Sequence, residues 1–531
     1  MTSALEQSAG LRAALPSPAA LAALAGQIRV FADYQRDFSE QTDVVVVGSG
    51  PGGAVVAKEL AERGHRVVLV EEGPPFVPGE YEIDAGLSMA RTMREGGLRA
   101  TSGTVLPTMQ AIALGGGSLV NSAICVRAPE AVLARWSRDF ELPHTSRAEL
   151  DPHYDAVGDF LGIAPTPEAV LGRRNTLFRD GCRALGIPSE PIQRNVRGCR
   201  GSGECFTGCR ARAKQSMDIS YVPSALRAGA RVLTSLRIER VRMSGRRAIG
   251  VEGHVVEPFS GRASHRARID AKIVVLAAGC MATPVLLQKS GDLANSSRQV
   301  GENLQFHPGV AVMGIFPERV DPHFGATQGY QSLHFIEAGY KLETLWAPPA
   351  ILAVRLPGSG LALKQRLSVI PYSAIWDAIA SCNRSLGRVR ARRFRTLDPH
   401  LSWHLHPDDV PILARAMYSL AEVFFAAGAH TIIPGVHGVA PEMRSLREAE
   451  IFLTHPRRAT DYVMGGNHAF CTTRMHGDPR RGVVDELGCC HDADNLYLAD
   501  TGVFPQCPSV NPMWTLMALA RRTGLAIADR L

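Results

Sequence analysis

The sequence predicts an α/β chain of two domains, one of them discontinuous, and three observations carry that prediction. Between Asp43 and Gly73 a β-branched run, a glycine turn, a helical pattern and a second apolar run follow one another. A later run, Ile273-Val274-Val275-Leu276, has the same buried-strand character and ends in the small-residue turn Ala277-Ala278-Gly279. The chain is also 531 residues long, beyond what one compact core holds.

Each element of the opening unit has a local cause. Val44-Val45-Val46-Val47 suits a strand buried on both faces. Gly48, Gly50 and Gly53 complete a G-x-G-x-x-G turn, and Ala54, Ala57, Leu60 and Ala61 recur at helical spacing up to Gly64. Val67–Val70 is the next strand and ends on Glu71, where an acid can accept hydrogen bonds from an adenosine ribose. Such a turn lets backbone approach a pyrophosphate, and the helix N-terminus adds free N–H groups and partial positive charge. The unit therefore predicts a bound dinucleotide.

Further along, helical patterns cover Ala148–Leu161, Asn175–Leu185, Ala282–Lys289 and Pro411–Ala427, whereas residues 76–135 read as loop-rich. Strand-like alternation marks Arg231–Thr234 and Arg237–Val241. Asn495–Asp500 reads as a buried strand, and Asn511-Pro512 opens a last helix in which Asn511 is a natural N-cap. The expected division is a lead-in over 1–40, a nucleotide domain over 41–305 and 461–531 with a cap or insertion at 145–220, and a substrate domain over 306–460.

Composition excludes several classes. The chain is 45% hydrophobic and 21% charged, as ordinary globular enzymes are. No apolar run reaches the roughly 20 residues of a membrane span, and no basic-then-apolar leader opens the sequence. A net charge of +7 is modest for this length and predicts no nucleic-acid partner. Much of it lies in Arg384, Arg388, Arg390, Arg392, Arg393 and Arg395, read as a solvated basic face ahead of a peripheral membrane contact. Eleven scattered cysteines fit free thiols in a reducing, cytoplasmic setting. Cys199, Cys205 and Cys209 match no common four-ligand framework, and His400, His404 and His406 lack a carboxylate partner in sequence, so no metal is expected.

Several segments together resemble the glucose–methanol–choline (GMC) family of FAD-dependent oxidoreductases. They are VVVVGSGPGG, LGGGSLVN (114–121), AAGCMATPVLLQKSG (277–291), VGENLQFHP (300–308), HAFCTTRM (468–475), GVVD (482–485), NLYLADTGVFP (495–505) and NPMWTLMALA (511–520). The Cys loop with AKQSM looks most like the long-chain alcohol oxidase branch. The resemblance implies a Rossmann-like FAD domain and an α+β substrate domain. Departures are Cys471 and His476, where the family usually has glycine, and Asp292-Leu293 after Ser290-Gly291.

The resemblance also implies roles. His468 is the base that takes the alcohol proton while hydride passes to flavin N5, and Asn511 is its hydrogen-bonding partner. Asp500 and Gly502 would hold the pyrophosphate and ribityl chain, and Gly116, Gly117, Ser118 and Asn121 would wrap the flavin. Ile238 would meet the adenine through its backbone, and the helix opening at Pro512 and Met513 would face the flavin N1–C2=O edge. His307 is read as structural. The expected reaction is oxidation of an apolar long-chain or sterol-like alcohol, with oxygen or a quinone-like acceptor. The apolar choice rests on a 306–460 region rich in apolar residues and poor in acids. A lyase or decarboxylase on the same scaffold is the alternative, kept open by Cys471.

Overall fold

The computed structural model describes residues 26–76, 80–82, 84–354, 356–393, 397–455 and 457–531. Residues 1–25 of the expected lead-in, with Pro16 and Pro18, and Arg395 of the basic cluster lie outside the described residues.

Two large sheets organise the chain. The first runs Ile28–Arg29, Arg231–Leu233, Val67–Val70, Phe38–Val47, Ala263–Leu276, Arg247–Val256, Leu236–Ser244, with Leu496–Leu498 paired to Ala263–Leu276. Its centre is parallel. Val274, Val275 and Leu276 pair with Val45, Val46 and Val47 on one side and with Leu496, Tyr497 and Leu498 on the other. Val44–Val46 are wholly buried because helices and neighbouring segments cover both faces, which is why the run is uniformly β-branched. The strand delivered by the C-terminal segment thus completes the sheet that the N-terminal unit begins.

The helix Pro51–Ala61 follows the glycine turn, and the last helix, Met513–Ala528, packs along it. A Cβ at Gly524 would stand only 3.1 Å from Glu59 Cβ and 3.5 Å from Val56 Cα, so the two helices cross closely there. The described helices Arg147–Leu161 and Arg173–Ala184 agree with the helical patterns to within two residues. The stretch read as loop-rich holds two helices, Ala85–Thr92 and Glu130–Asp139; Asp84 caps the first through Leu87 N–H.

The second sheet is antiparallel: Thr431–Ile433, Gly309–Ile315, Ser373–Ala380, Tyr340–Leu345, Tyr330–Ser332, Glu190–Pro191. One face carries Val310, Val312, Leu342, Trp376 and Ala378 into a core with the helix Val410–Ala426. Trp376 and Phe424 stack there with centroids 3.8 Å apart. The other face carries Ala311, Glu343, Leu345, Ile375, Asp377 and Ile379 to a cavity. Period-two alternation makes this division.

The basic cluster is largely neutralised by carboxylates. Arg388 and Arg390 share Glu302, Arg384 meets Asp408 and Arg392 faces Asp398. All eleven cysteines are free, and no group of His, Cys, Asp or Glu among the described residues could hold a metal. Arg194 donates to Cys205 Sγ at 3.0 Å, and the Arg194 and Lys214 charges lower that buried thiol against the opposing effect of burial. Among the described residues, no helix is long and apolar enough to cross a membrane.

Candidate active site

A cavity of about 640 Å³ runs from the glycine turn to the inner face of the second sheet. Its nucleotide end is made by close approaches that only glycine permits. Gly48 has φ +104°, and a Cβ there would lie 2.2 Å from the Ala277 carbonyl oxygen. A Cβ at Gly52 would lie 1.7 Å from the Ala499 oxygen. The two contacts set the helix directly over the ends of two adjacent strands. Gly50 is the N-cap and offers no side chain, which leaves the first N–H groups of the helix open toward the cavity. Pro512, Met513 and Leu516 bring the start of the last helix to the same space. Two positive helix ends therefore face one volume, an arrangement suited to an anionic ligand.

Of the residues assigned to the cofactor, Gly48, Gly50, Glu71, Gly116, Gly117, Asn121, Ile238, Asp500, Pro512 and Met513 line this cavity. A Cβ at Gly117 or Gly279 would meet nothing within 4 Å, so the cradle is open where a flat ligand would lie. Glu71 already accepts from Ser49 N–H (3.0 Å), Ser49 Oγ (2.6 Å) and Gly73 N–H (2.9 Å), and burial raises its pKa. It braces the turn as well as facing the ligand. Asp500 accepts from Gly279 N–H, Thr283 Oγ1 and Gly502 N–H and thereby ties its own turn to the 279–283 segment. Gly53, Ser118 and Gly502 do not line the cavity. Gly53 packs on the Gly48 carbonyl, Ser118 Oγ bridges Gly115 and Met217, and Gly502 lies against Thr473. They shape the cradle from behind.

At the far end, the short antiparallel pair Gln305–Phe306 and Ala469–Phe470 brings His307 beside His468. Their Nδ1 atoms are 3.2 Å apart, so one ring donates and the other accepts. Burial pulls His468 down to about 4 and His307 well below the ordinary imidazole value, so both are neutral near pH 7. His307, read from sequence as structural, is thus the direct partner of the proposed base and also lines the cavity.

Asn511 also lines the cavity, but it is not a helix cap. The helix begins at Met513 with Pro512 as N-cap, and no side chain caps it. The Asn511 Oδ1 instead accepts from Lys341 Nζ at 2.6 Å. An ammonium can only donate, so the amide orientation is determined: oxygen toward Lys341, leaving Nδ2–H₂ as the free donor. Asn121 Nδ2 contacts Met513 Sδ at 3.1 Å and joins the flavin-side loop to the same helix start.

The expectation of an acid-poor substrate region is corrected here. Lys341, Glu343 and Asp377 come from the second sheet and are almost wholly buried at this end of the cavity, with Glu343 and Asp377 on its wall. Lys341 Nζ lies 2.7 Å from Glu343 Oε2. Apolar wall is supplied by Leu345, Ile351, Leu352, Ile375, Val463 and Met464. Cys471 is not on the wall. Its Sγ contacts Gln305 Oε1 at 3.5 Å, and its backbone has φ +74°, the region the family's glycine adopts freely.

Comparison with known proteins identifies the family. Models of the GMC oxidoreductases match residues 89–309 and 383–520, and one of the pyridine nucleotide-disulphide oxidoreductases matches 42–105. An uncharacterised GMC-type oxidoreductase of Mycobacterium tuberculosis is 33% identical over 499 residues, covering 92% of this chain and 76% of the relative. A long-chain-alcohol oxidase of Arabidopsis thaliana is 27% identical over 520 residues, covering 92% and 68%. The crystal structure of pyridoxine 4-oxidase from Mesorbium loti has the same fold at 18% identity, with a TM-score of 0.68 over 91% of this chain and 99% of that one. With its cradle for a dinucleotide joined to a neutral histidine pair, the chain belongs to the GMC oxidoreductases and is an FAD-dependent enzyme.

Proposed function

We propose that this protein oxidises an alcohol at its CH–OH carbon, with His468 as the base and Asn511 as the hydrogen-bond donor to the same oxygen. The observation that carries the reading is the presence in one cavity of a neutral His468, its partner His307 and an Asn511 whose amide N–H₂ is turned free by Lys341. FAD, when bound, supplies the acceptor for the hydride that leaves the carbinol carbon. His468 takes the hydroxyl proton, a role that requires the unprotonated ring that burial secures. Asn511 Nδ2 donates to the oxygen as negative charge develops on it and does not compete for the proton. Leu345, Ile351, Leu352 and Ile375 give the hydrocarbon part of the substrate an apolar wall, which supports an alcohol with a substantial apolar portion, in line with the long-chain-alcohol oxidase relatives.

An anaerobic alcohol screen tests this. Purified yellow protein should lose its oxidised-flavin absorbance with at least one alcohol, and His468→Ala should retain FAD but reduce about 10²- to 10⁴-fold more slowly. A wild-type rate in His468→Ala would remove the base assignment. Admitting oxygen afterwards separates an oxidase, which reoxidises fast and forms peroxide, from a dehydrogenase passing electrons to a quinone-like acceptor.

A further inference from the structure

Two carboxylates stand at the cavity wall, and one cation, Lys341, is ion-paired with one of them, Glu343. Glu343 and Asp377 are directly opposite each other on neighbouring antiparallel strands, and Ala311 pairs with Asp377 from the third strand. Alternation turns all three toward the cavity. The Lys341 ammonium donates to Gln331 Oε1 at 2.7 Å and to Asn511 Oδ1 at 2.6 Å, and it forms an ion pair with Glu343 Oε2 at 2.7 Å, an oxygen that accepts no hydrogen bond among the described residues. Lys341 makes no hydrogen bond to Asp377. That residue is 7% exposed, and its Oδ1 accepts no hydrogen bond among the described residues. A buried acceptor without a donor is unfavourable, and a purely hydrocarbon substrate packed against it would exclude water as well.

A donor on the substrate removes the deficit. Gly309 opens the strand Gly309–Ile315 two residues after His307, about 7 Å along an extended backbone. A Cβ at Gly309 would come within 3.9 Å of Asp377 Oδ2, so the missing side chain keeps the space beside that carboxylate clear. We propose that Glu343 and Asp377 bind a second, hydrogen-bond-donating group of the alcohol, an ammonium or a hydroxyl, held roughly 6–8 Å from the carbinol. The substrate class is then an amphipathic amino alcohol or diol, and a simple alkanol is a poorer substrate. This rests on the reading of alcohol oxidation at His468. Two ionised acids against one lysine favour an ammonium. A proton shared between the acids, toward which burial and Glu343 push Asp377, favours a hydroxyl.

The test compares matched series on the holoenzyme by anaerobic flavin reduction and steady-state turnover: ω-amino-1-alkanols, α,ω-diols, and 1-alkanols in which a methyl replaces the terminal donor, each with about four to six carbons between the ends. One donor-bearing series is expected to exceed its isosteric alkanol at least about tenfold in kcat/KM, chiefly through KM, and which series does so identifies the group. Asp377→Asn and Glu343→Gln, checked for FAD content, are expected to bring that ratio near one. Alkanols matching or exceeding both donor series in the wild type would overturn the proposal while leaving alcohol oxidation intact. So would a tenfold ratio unchanged in both variants. Failure of every series to reduce the flavin would overturn the alcohol reading and this proposal with it.

Discussion

Lys341 and Asn511 meet at 2.6 Å across 170 positions of sequence, and the contact decides which end of the Asn511 amide faces the substrate. Replacing the lysine by methionine keeps most of its volume and releases the amide to rotate. Lys341→Met is expected to lower kcat about 10- to 100-fold through loss of an aligned donor, with FAD retained and KM changed much less. Stopped-flow flavin reduction measures this. An unaltered kcat would show that the amide is oriented by something else.

Acid should act on His468 in a defined direction. Its folded pKa is depressed to about 4, mainly by burial, from an ordinary value of 6.5. The folded ring therefore stays neutral while an unfolded chain binds the proton. The base form, and with it the acid limb of kcat/KM, is expected to persist well below pH 6.5. Stability is expected to fall as pH drops from 6.5 toward 4, where the unfolded state binds more protons. His153, also held near 4 by burial and then by Arg521, adds to the same trend. A kcat/KM profile that loses activity with an apparent pKa at or above 6.5 would contradict the assignment.

Cys471 holds a positive φ of 74° without being glycine. Cys471→Gly should relieve the left-handed strain, worth about 1 kcal/mol, offset in part by the lost burial of the thiol. The expectation is a small net change in Tm with alcohol activity retained, since the thiol is off the cavity wall. A large loss of turnover would give the thiol a role in the chemistry.

Gly52→Ala probes the other end of the cavity. The new methyl would lie 1.7 Å from the Ala499 carbonyl oxygen, which is backbone and cannot turn aside. The helix must lift from the Leu496–Leu498 strand end, so the variant is expected to lose FAD or fail to fold. Flavin absorbance per chain reads this directly, and stoichiometric FAD would show that the close approach is dispensable.

The nucleotide end was legible because its signal is covalent and local. Glycine at 48, 50 and 53 and β-branched residues at 44–47 constrain the backbone wherever they occur. The substrate end was not. In Tyr340–Leu345 the alternation of Lys341 and Glu343 with Leu342 and Thr344 reads as a strand with its polar side in water. In the structure a cavity takes the place of that water, and no local pattern distinguishes the two. His307 reads as structural because its partner lies 161 residues away and is delivered by a two-residue strand pairing, too short to leave a periodicity. Asn511 before a proline has the form of a cap, yet the lysine that claims its oxygen comes from the other sheet.

The pairing of Val274–Leu276 with Leu496–Leu498 has a consequence for how the protein is made. During synthesis the glycine turn emerges early, while one neighbour of the central strand, and the helix that packs on Pro51–Ala61, arrive hundreds of residues later. Until then an apolar strand edge and one face of that helix stand uncovered, a state prone to association with other chains. Docking of the segment that holds Leu496–Leu498 and Met513–Ala528 is therefore the step expected to limit productive assembly, and FAD present during refolding should raise the yield by capturing chains as that segment docks.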